Sequence, residues 1–451
     1  MKRLSALILS ALLFLVLTGC GLSLPAPDTA PVILKFWSPL PYEAGPRQLV
    51  EHFNQTHPEI QVEYVQYAND SVGNKQLDDA LSQRGDVDVC LSDSRDALVH
   101  RAASGWFLPL SPLLDKSSIR LDSLYAPGAD LFRLDGTYYS LPSRLFNQCI
   151  LYNEQMFLDK GVPLPRAGWT YEEFLSAAEQ LTGDGVYGYF NQLVDHGEPA
   201  VQFLRAQLGD DWMYSEDGTS VCIDRPEVRS ALNRCIARME AGIEPDFIDN
   251  KTQRMQTEEL FLRGKAAMVL DHWTLHHIKD PERYPHSFKV GFATLPRTGG
   301  EEQAALYTST YSDDLSIAAQ TNHPDEAMTF LLWYITDGMR WLAPLGRVPC
   351  TLQASPDDTA AVLFEDSQQF FDLDSARAVY LTSQAARSPR YYTAMQEIQQ
   401  ILEEEFEKAF TGFCSVDEAV KTAQTRAQTA FCLSTCTLSP LLPAEGNEPA
   451  G

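Results

Sequence analysis

Apolar residues in the first hundred positions switch between two spacings. Val32 to Trp37 form an apolar run bounded by prolines, and Ile60 to Tyr64 alternate apolar with polar residues, both typical of strands. Pro46 to Asn54 instead carries its apolar residues on one helical face. Three more elements follow before residue 105: a helix that carries Leu77 and Leu81 and ends at Gly85, a strand at Asp86 to Leu91, and a third helix. This order predicts an α/β domain with a largely parallel sheet.

Two capping boxes predict where helices begin in the rest of the chain. Thr170 and Glu173 form a capping box, and Trp169 and Phe174 occupy the hydrophobic-staple positions around it. A second capping box begins at Ser415 and opens the last helix. Further strands are predicted at 138–141, 148–152, 221–224, 266–270, 288–292 and 316–319.

The N-terminus is predicted to contain a signal peptide and a site of lipid attachment. Lys2 and Arg3 precede the apolar run Leu4 to Leu17, which has the length of a signal-peptide core and is too short to span a bilayer. The run closes with Leu-Thr-Gly and Cys20, which resembles the bacterial lipobox; the alternative is a plain signal peptide with a chance cysteine. We expect a signal peptide at 1–19, a tether at 20–31 and, at the other end, a loose tail at 436–451.

Composition narrows the class of protein. The 451 residues include 35 Lys and Arg against 61 Asp and Glu, a formal net charge of −26. This acidity argues against a nucleic-acid partner, which requires a basic surface. The 44% hydrophobic content is that of an ordinary globular chain. Disulfides between Cys222 and Cys235, or between Cys432 and Cys436, are compatible with an extracytoplasmic protein, and buried thiols are the alternative.

Ten fragments, in order along residues 32–435, resemble the bacterial extracellular solute-binding lipoproteins of the maltose-binding, sugar-type class, which serve ABC importers. The fragments are Phe36-Trp37-Ser38, Phe53 to Val62, Gly85 to Val89, Ala103 to Leu110, Asp135 to Pro142, Leu151-Tyr152-Asn153, Gly161-Val162-Pro163, Trp169 to Phe174, Phe261 to Met268 and Gly291 to Pro296. Tyr307 to Ser312 departs from the glycine-rich lead that family members often have before the late strand.

The resemblance implies a periplasmic-binding-protein-like α/β fold, with two lobes joined by a hinge that the chain crosses several times. A ligand cleft would lie between the lobes. The implied lobes are 32–145 plus 297–346 and 146–296 plus 347–435. The implied function is capture of a mono- to oligosaccharide by a monomeric lipoprotein and delivery to the ABC permease in the membrane, with no catalysis, cofactor or metal.

Candidate ligand-binding residues lie at predicted strand ends, at the crossings and in one loop. A sugar presents apolar C–H faces and hydroxyl edges, so its site needs aromatic rings and polar side chains together. For each aromatic the alternative is packing in the core. The candidates are Trp37, Ser38, Asp93, Arg144, Phe146, Trp212, Asp271, Trp273, Tyr311 and Arg347. Arg144 and Arg347 would also permit an anionic ligand, so the identity of the solute stays open.

Other chemistry has weaker support in the sequence. His272 and His276 share a helical spacing, but the glutamate of a zinc-protease motif is absent, so packed or solvated histidines are the prediction. Asp313 and Asp314 are adjacent, and on a strand adjacent side chains point to opposite faces. The alternatives to an importer subunit are a secreted glycan-acting hydrolase, which needs two facing carboxylates, and a ligand-binding sensor without transport.

Replacing Cys20 tests the anchor. Cys20→Ala is expected to leave the precursor without lipid, because the acyl chains that stabilise membrane binding by about 0.8 kcal/mol per buried CH₂ have no attachment point. Membrane fractionation with lipid labelling measures this. Membrane retention of a fully processed variant would contradict the anchor.

Overall fold

The computed structural model describes residues 30–92, 95–126, 129, 131–134, 136–193, 200–209, 212–215, 217–270, 274–298, 308–382, 386–387 and 394–438. Cys20, Asp93, Asp271 and Trp273 lie outside these residues, as do the signal peptide, nearly all of the tether and the chain beyond 438.

Ten strands form two sheets in the described part of the chain. They are β1 (Val32–Ser38), β2 (Ile60–Gln66), β3 (Val89–Ser92), β4 (Leu141–Asn147), β5 (Ile150–Asn153), β6 (Met268–Leu270), β7 (Val290–Ala293), β8 (Ser309–Ile317), β9 (Val348–Pro349) and β10 (Ala386–Arg387). The larger sheet has the order β2-β1-β3-β8-β4-β9, with β10 beside β8. The smaller sheet has the order β6-β5-β7.

Strand direction divides the larger sheet. β1 runs parallel to β2 and β3, as the strand–helix rhythm predicts, because each connection passes through a helix. β8 is antiparallel to both β3 and β4. It follows the strands of the smaller sheet along the chain and returns to the larger sheet. The smaller sheet is antiparallel throughout. The fold is α/β as predicted, and its sheets are mixed and antiparallel rather than largely parallel.

Seventeen α-helices cover these sheets in the described residues. They are α1 (Pro46–Thr56), α2 (Ser71–Ser82), α3 (Arg95–Ala103), α4 (Ser111–Lys116), α5 (Leu121–Leu124), α6 (Glu154–Lys160), α7 (Tyr171–Leu181), α8 (Val201–Leu208), α9 (Pro226–Glu240), α10 (Phe247–Gln253), α11 (Thr257–Leu262), α12 (Thr274–Ile278), α13 (Pro324–Ile335), α14 (Pro356–Leu363), α15 (Leu373–Ser375), α16 (Met395–Phe410) and α17 (Val416–Leu438). None of these is long and apolar enough to cross a membrane.

Helix α13 covers the larger sheet from one face. Pro324 opens the helix at a position where its missing N–H costs nothing. Phe330 and Tyr334 then pack edge-on against Phe36 of β1, with ring centroids 5.1 and 5.5 Å apart. All three side chains are at most 1% exposed. Burying each contributes roughly 1.5–3 kcal/mol, so this contact fixes the helix to the sheet.

The capping box predicted at α7 is present. The Thr170 hydroxyl accepts a hydrogen bond from the Glu173 N–H at 3.2 Å, and the Glu173 carboxylate accepts one from the Thr170 N–H at 2.8 Å. The flanking Trp169 and Phe174 rings pack perpendicularly, 5.7 Å apart. The Trp169 indole donates to the Thr294 carbonyl just past β7, which ties α7 to the smaller sheet.

The chain passes from one sheet to the other within two residues. β4 ends at Asn147 in the larger sheet, and β5 begins at Ile150 in the smaller one. The buried Asn147 amide donates to the Tyr380 carbonyl at 2.5 Å, and its oxygen accepts a hydrogen bond from Ser309. Three distant segments therefore meet at this crossing.

A buried ion pair lies behind the smaller sheet. Arg238 of α9 donates from Nε to the Glu244 carboxylate at 3.1 Å and from Nη1 to the Tyr171 hydroxyl at 2.9 Å. Both charged residues are at most 4% exposed. Burial raises the pKa of Glu244, and Arg238 opposes that rise. Cys235, which also contacts Glu244, forms no disulfide with Cys222.

Removing one partner of this ion pair should destabilise the fold. Glu244→Ala leaves the Arg238 charge buried and uncompensated, with an expected cost of about 3–5 kcal/mol in the free energy of unfolding. The apolar double variant Arg238→Met/Glu244→Leu should recover most of that loss. Urea unfolding measures both.

The exposed pair Arg120 and Asp122 provides the matched control. Asp122→Asn should give no measurable change, because solvent screens exposed ion pairs. Equal losses at Glu244 and Asp122 would contradict the assignment.

Candidate functional site

The crossing strands present one partly exposed face. In β4, Arg144 and Phe146 are half-buried, while Leu145 between them is buried. In β8, Thr310 and Ser312 are half-buried around buried neighbours. The antiparallel register places Arg144 opposite Ser312 and Phe146 opposite Thr310. We call Arg144, Phe146, Thr310 and Ser312 the crossing face.

Arg144 is the charged member of the crossing face. Its guanidinium carbon lies 5.2 Å from the centre of the Phe146 ring. The Nε atom is buried and makes no hydrogen bond, and the same holds for the Ser312 hydroxyl across the strand pair. Burial lowers the pKa of Arg144, Asp313 partly opposes this shift, and Arg347 adds to it. The crossing face therefore combines an aromatic ring with two unsatisfied polar groups.

Asp313 and Arg347 form an ion pair beside this face. Asp313 has a φ of 55°, a left-handed conformation that aspartate tolerates better than most residues. Its carbonyl accepts a hydrogen bond from the buried Ser143 hydroxyl at 2.9 Å, which holds the unusual backbone in place. The side chains are 6% exposed for Asp313 and 17% for Arg347. The pair joins β8 to the turn before β9.

Helix α12 approaches the same turn. Gly346, at a φ of 76°, lies so close to it that a Cβ there would be 3.9 Å from the His276 ring. The Tyr380 hydroxyl donates to the Gly346 carbonyl at 3.3 Å, and Lys279 donates to the Pro344 carbonyl at 2.9 Å. Burial, then Lys279, lowers the pKa of His276, with smaller contributions that include Arg347 and Arg144. Positive groups from both sheets converge here.

Of the predicted ligand residues, Arg144, Phe146 and Arg347 come together. Ser38 lies near them. Tyr64 forms a side-chain hydrogen bond with Ser38, and the charge of Arg347 partly opposes the rise that burial causes in the pKa of Tyr64. Ser38 itself is fully buried, and its hydroxyl accepts a hydrogen bond from the Leu40 N–H at 3.3 Å. It therefore supports the turn after β1 and presents no surface to a ligand in this conformation.

Two predicted aromatics, Trp212 and Tyr311, lie in cores, and a third, Trp37, packs half-buried against another core. Trp37 lies on the face of β1 opposite Phe36, against α2 and α3, and its indole donates to the Asp86 carbonyl at 2.9 Å. Trp212 is 2% exposed among the apolar side chains of α8, α9, α16 and α17. Tyr311 is 3% exposed and packs edge-on against Tyr125; burial raises its pKa to about 12. For all three, burial of a large apolar ring outweighs exposure at a cleft.

Asp93, Asp271 and Trp273 cannot be placed, because they fall outside the described residues. From the segment Tyr311-Ser312-Asp313, which precedes the late predicted strand, only Tyr311 was kept as a binding candidate, and His276 was considered only as a metal ligand. The alternation along β8 was the available signal for Ser312, because it puts residue 312 on the opposite face from the buried Tyr311. His276 had no such signal, since its proximity to Gly346 arises only from the packing of distant segments.

The described residues hold no group of three or more His, Cys, Asp or Glu side chains able to bind a metal ion. Asp314 accepts a hydrogen bond from the buried Ser140 hydroxyl at 2.8 Å, and Asp313 pairs with Arg347. Both carboxylates are thus engaged within the protein. A surface cavity of about 840 Å³, lined by Gly85, Asp86 and Trp106 among others, lies where β3 begins. Ligands of open α/β sheets bind at the opposite, carboxyl ends of strands.

Residues 38–341 match the family model of the bacterial extracellular solute-binding proteins. The chain belongs to this family. Membership confirms the predicted family and the prediction of a binding protein rather than an enzyme.

Two curated proteins have sequences similar to that of this solute-binding protein. One is an uncharacterized lipoprotein in the oleD 5′ region of Streptomyces antibioticus, 32% identical over 185 residues, or 40% of this chain and 39% of that protein. The other is a mannitol-binding protein of Pseudomonas aeruginosa, 22% identical over 403 residues, or 84% of this chain and 88% of that protein.

Solved structures confirm the periplasmic-binding-protein-like fold. The sugar-binding protein MalE from Xanthomonas citri superposes with a TM-score of 0.72 at 19% identity, covering 92% of this chain and 100% of that one. A sugar transporter from Rhizobium etli in an open conformation gives 0.71 at 19% identity, covering 88% and 99%. At these identities the likeness establishes the fold alone.

The ion pair beside the crossing face should contribute measurably to stability. Asp313→Asn keeps a side chain that tolerates the left-handed backbone but leaves the Arg347 charge without its partner. We expect a loss of about 1–3 kcal/mol in the free energy of unfolding. Urea unfolding of Asp313→Asn, Arg347→Gln and the double variant should show a coupling of at least about 0.5 kcal/mol. Strictly additive losses would contradict a direct pairing.

Proposed function

We propose that this protein is the lipid-anchored substrate-binding subunit of an ABC importer and that it captures a carbohydrate at the crossing face. The observation that carries the proposal is the pairing of Arg144 with Ser312 across β4 and β8, beside the Phe146 ring. In a chain of the solute-binding family, an unsatisfied polar face at the junction of two sheets is a natural place for a solute.

The chemistry of this face suits a sugar or polyol. An aromatic ring packs against apolar C–H groups, and the Arg144 Nε and Ser312 hydroxyl are available to ring or chain oxygens. Each of these buried groups left unpaired costs about 1–3 kcal/mol, so a ligand that satisfies both gains specificity. The Pseudomonas relative is a mannitol-binding protein and the Xanthomonas protein binds sugar, which supports the same class of ligand here.

We assign the two sheets to the two lobes that would close on the ligand. The implied lobes were 32–145 plus 297–346 and 146–296 plus 347–435. Because β4 of the larger sheet ends at Asn147 and β9 (Val348–Pro349) pairs with it, we move the first boundary to just after Asn147 and the last to just after Pro349. Closure would be driven by ligand contacts that both lobes make only when shut. The approach of α12 to the turn at Gly346 provides one such junction.

The anchoring and delivery steps rest on the N-terminal sequence and the family. The lipobox-like ending at Cys20 and the similarity to a Streptomyces lipoprotein support attachment through an N-terminal lipid. We propose a monomer held outside the cytoplasm, which passes its ligand to the membrane-embedded permease. Trp273 and Asp271 remain proposed ligand contacts at the end of β6.

A thermal-shift screen tests the binding function. The chain from Gly21 onward is heated with neutral sugars, oligosaccharides, polyols and sugar acids. A ligand at about 100 times its Kd should add about 2.7 kcal/mol to the free energy of unfolding and raise the melting temperature. Chromatography should return the ligand unchanged, because the site performs no reaction.

Two results would contradict the proposal. Recovery of cleaved oligosaccharide would identify a hydrolase. Absence of a shift with every carbohydrate, together with a shift caused by another class of solute such as a peptide, would reassign the ligand.

A further inference from the structure

Arg144 is a half-buried cation without a carboxylate partner among the described residues. Its Nε is buried and unpaired, and no carboxylate among the described residues forms an ion pair with it. The nearby Asp313 carboxylate is already engaged by Arg347. A guanidinium removed from water without a compensating partner is costly. In a binding site, the ligand can supply the missing partner and so offset this cost in free energy.

Neither described carboxylate beside the crossing face compensates Arg144. Asp313 pairs with Arg347, and the buried Asp314 accepts a hydrogen bond from the Ser140 hydroxyl. On the side of the smaller sheet, burial and Lys279 lower the pKa of His276, and Lys279 is itself another cation.

From this geometry we infer that the bound carbohydrate carries an acidic group, a carboxylate or a phosphate, which sits against Arg144 and Ser312. The inference rests on the proposed function and narrows its substrate class. One anionic oxygen would accept a hydrogen bond from the Arg144 Nε and another from the Ser312 hydroxyl, because these two side chains face each other across β4 and β8. The Phe146 ring beside Arg144 leaves an apolar surface for the sugar ring.

A neutral sugar satisfies this site less well. A hydroxyl oxygen can accept from the Arg144 Nε, but it leaves the positive charge uncompensated. A charged acceptor forms a shorter and stronger hydrogen bond with a guanidinium. Arg238 in the same protein differs in this respect, since that buried arginine forms an ion pair with Glu244.

Calorimetric titration with matched pairs of ligands tests the inference. Galactose is compared with galacturonate, glucose with glucuronate, and mannitol with mannonate; inorganic phosphate and acetate are added as anions without a sugar. We expect at least one acid to bind about ten- to a hundredfold more tightly than its neutral partner, the range of a charge-assisted hydrogen bond.

Variants assign that preference to the proposed residues. Arg144→Gln should weaken binding of both ligands, because both lose a hydrogen bond, but the affinity for the acid should fall about tenfold or more beyond the loss for the neutral partner, so that the preference disappears. Arg144→Lys, which keeps the charge but lacks Nε, should retain part of it, and Ser312→Ala should reduce it. The matched control is Arg120→Gln, an exposed arginine paired with Asp122, which should leave both affinities unchanged.

A readout without ligand separates binding from a structural role. If Arg144 serves the ligand, the ligand-free Arg144→Gln protein should melt at the same temperature as the parent or higher, because a desolvated charge has been removed. A markedly lower melting temperature would make Arg144 a structural residue and overturn the inference.

The remaining outcomes are also decisive. Equal or tighter binding of the neutral partner in every pair would overturn the acidic ligand and leave carbohydrate capture intact. Binding of phosphate or acetate that depends on Arg144, with no binding of any sugar or sugar acid, would overturn the proposed function and this inference together.

Discussion

The pairing of β4 with β8 is the interaction on which the arrangement of this protein depends. These strands come from distant parts of the sequence and pair in the interior of the larger sheet, and β4 leads within two residues into β5 of the smaller sheet. Asn147 secures the end of β4 through hydrogen bonds with Ser309 and the Tyr380 carbonyl, so the chain enters β5 in one direction. The same register sets Arg144 opposite Ser312. The junction between the sheets and the proposed binding face are thus products of one set of backbone hydrogen bonds.

Arg238 and Arg144 illustrate how stability and binding can place different demands on an arginine. Arg238 is buried, and a carboxylate, a tyrosine hydroxyl and flanking aromatic rings surround it, so its charge is compensated within the protein. Arg144 is half-buried, and it has an aromatic ring beside it and an unpaired Nε. On our proposal the bound solute supplies the partner of Arg144, in agreement with membership in a solute-binding family.

The sequence predicted helices and strands correctly where the residues of one segment alone favour that structure. The capping box at Thr170 and Glu173 forms α7, and the apolar stripes before residue 105 form the expected strands and helices. The predicted strand at 221–224 shows the limit of such signals. In the described structure Val221 makes an isolated bridge with Tyr214, and the segment instead docks on α17 through Gln424. A short apolar run specifies burial, and its partner decides whether it becomes a strand.

The sequence by itself determined the family, the α/β class and the approximate positions of the elements, and it named Arg144, Phe146 and Arg347, which we propose as part of the binding site. These follow from local spacing and from short motifs in a fixed order. Only the tertiary structure decided that β8 runs antiparallel to β3, that Trp212 belongs to a core and Trp37 packs against another, and that Ser312 and His276 lie near Arg144 and Arg347. Strand alternation shows that Phe36 and Trp37 point to opposite faces, but which face becomes the interior depends on the helices that pack there. Those contacts join residues far apart in sequence, and no local pattern encodes them.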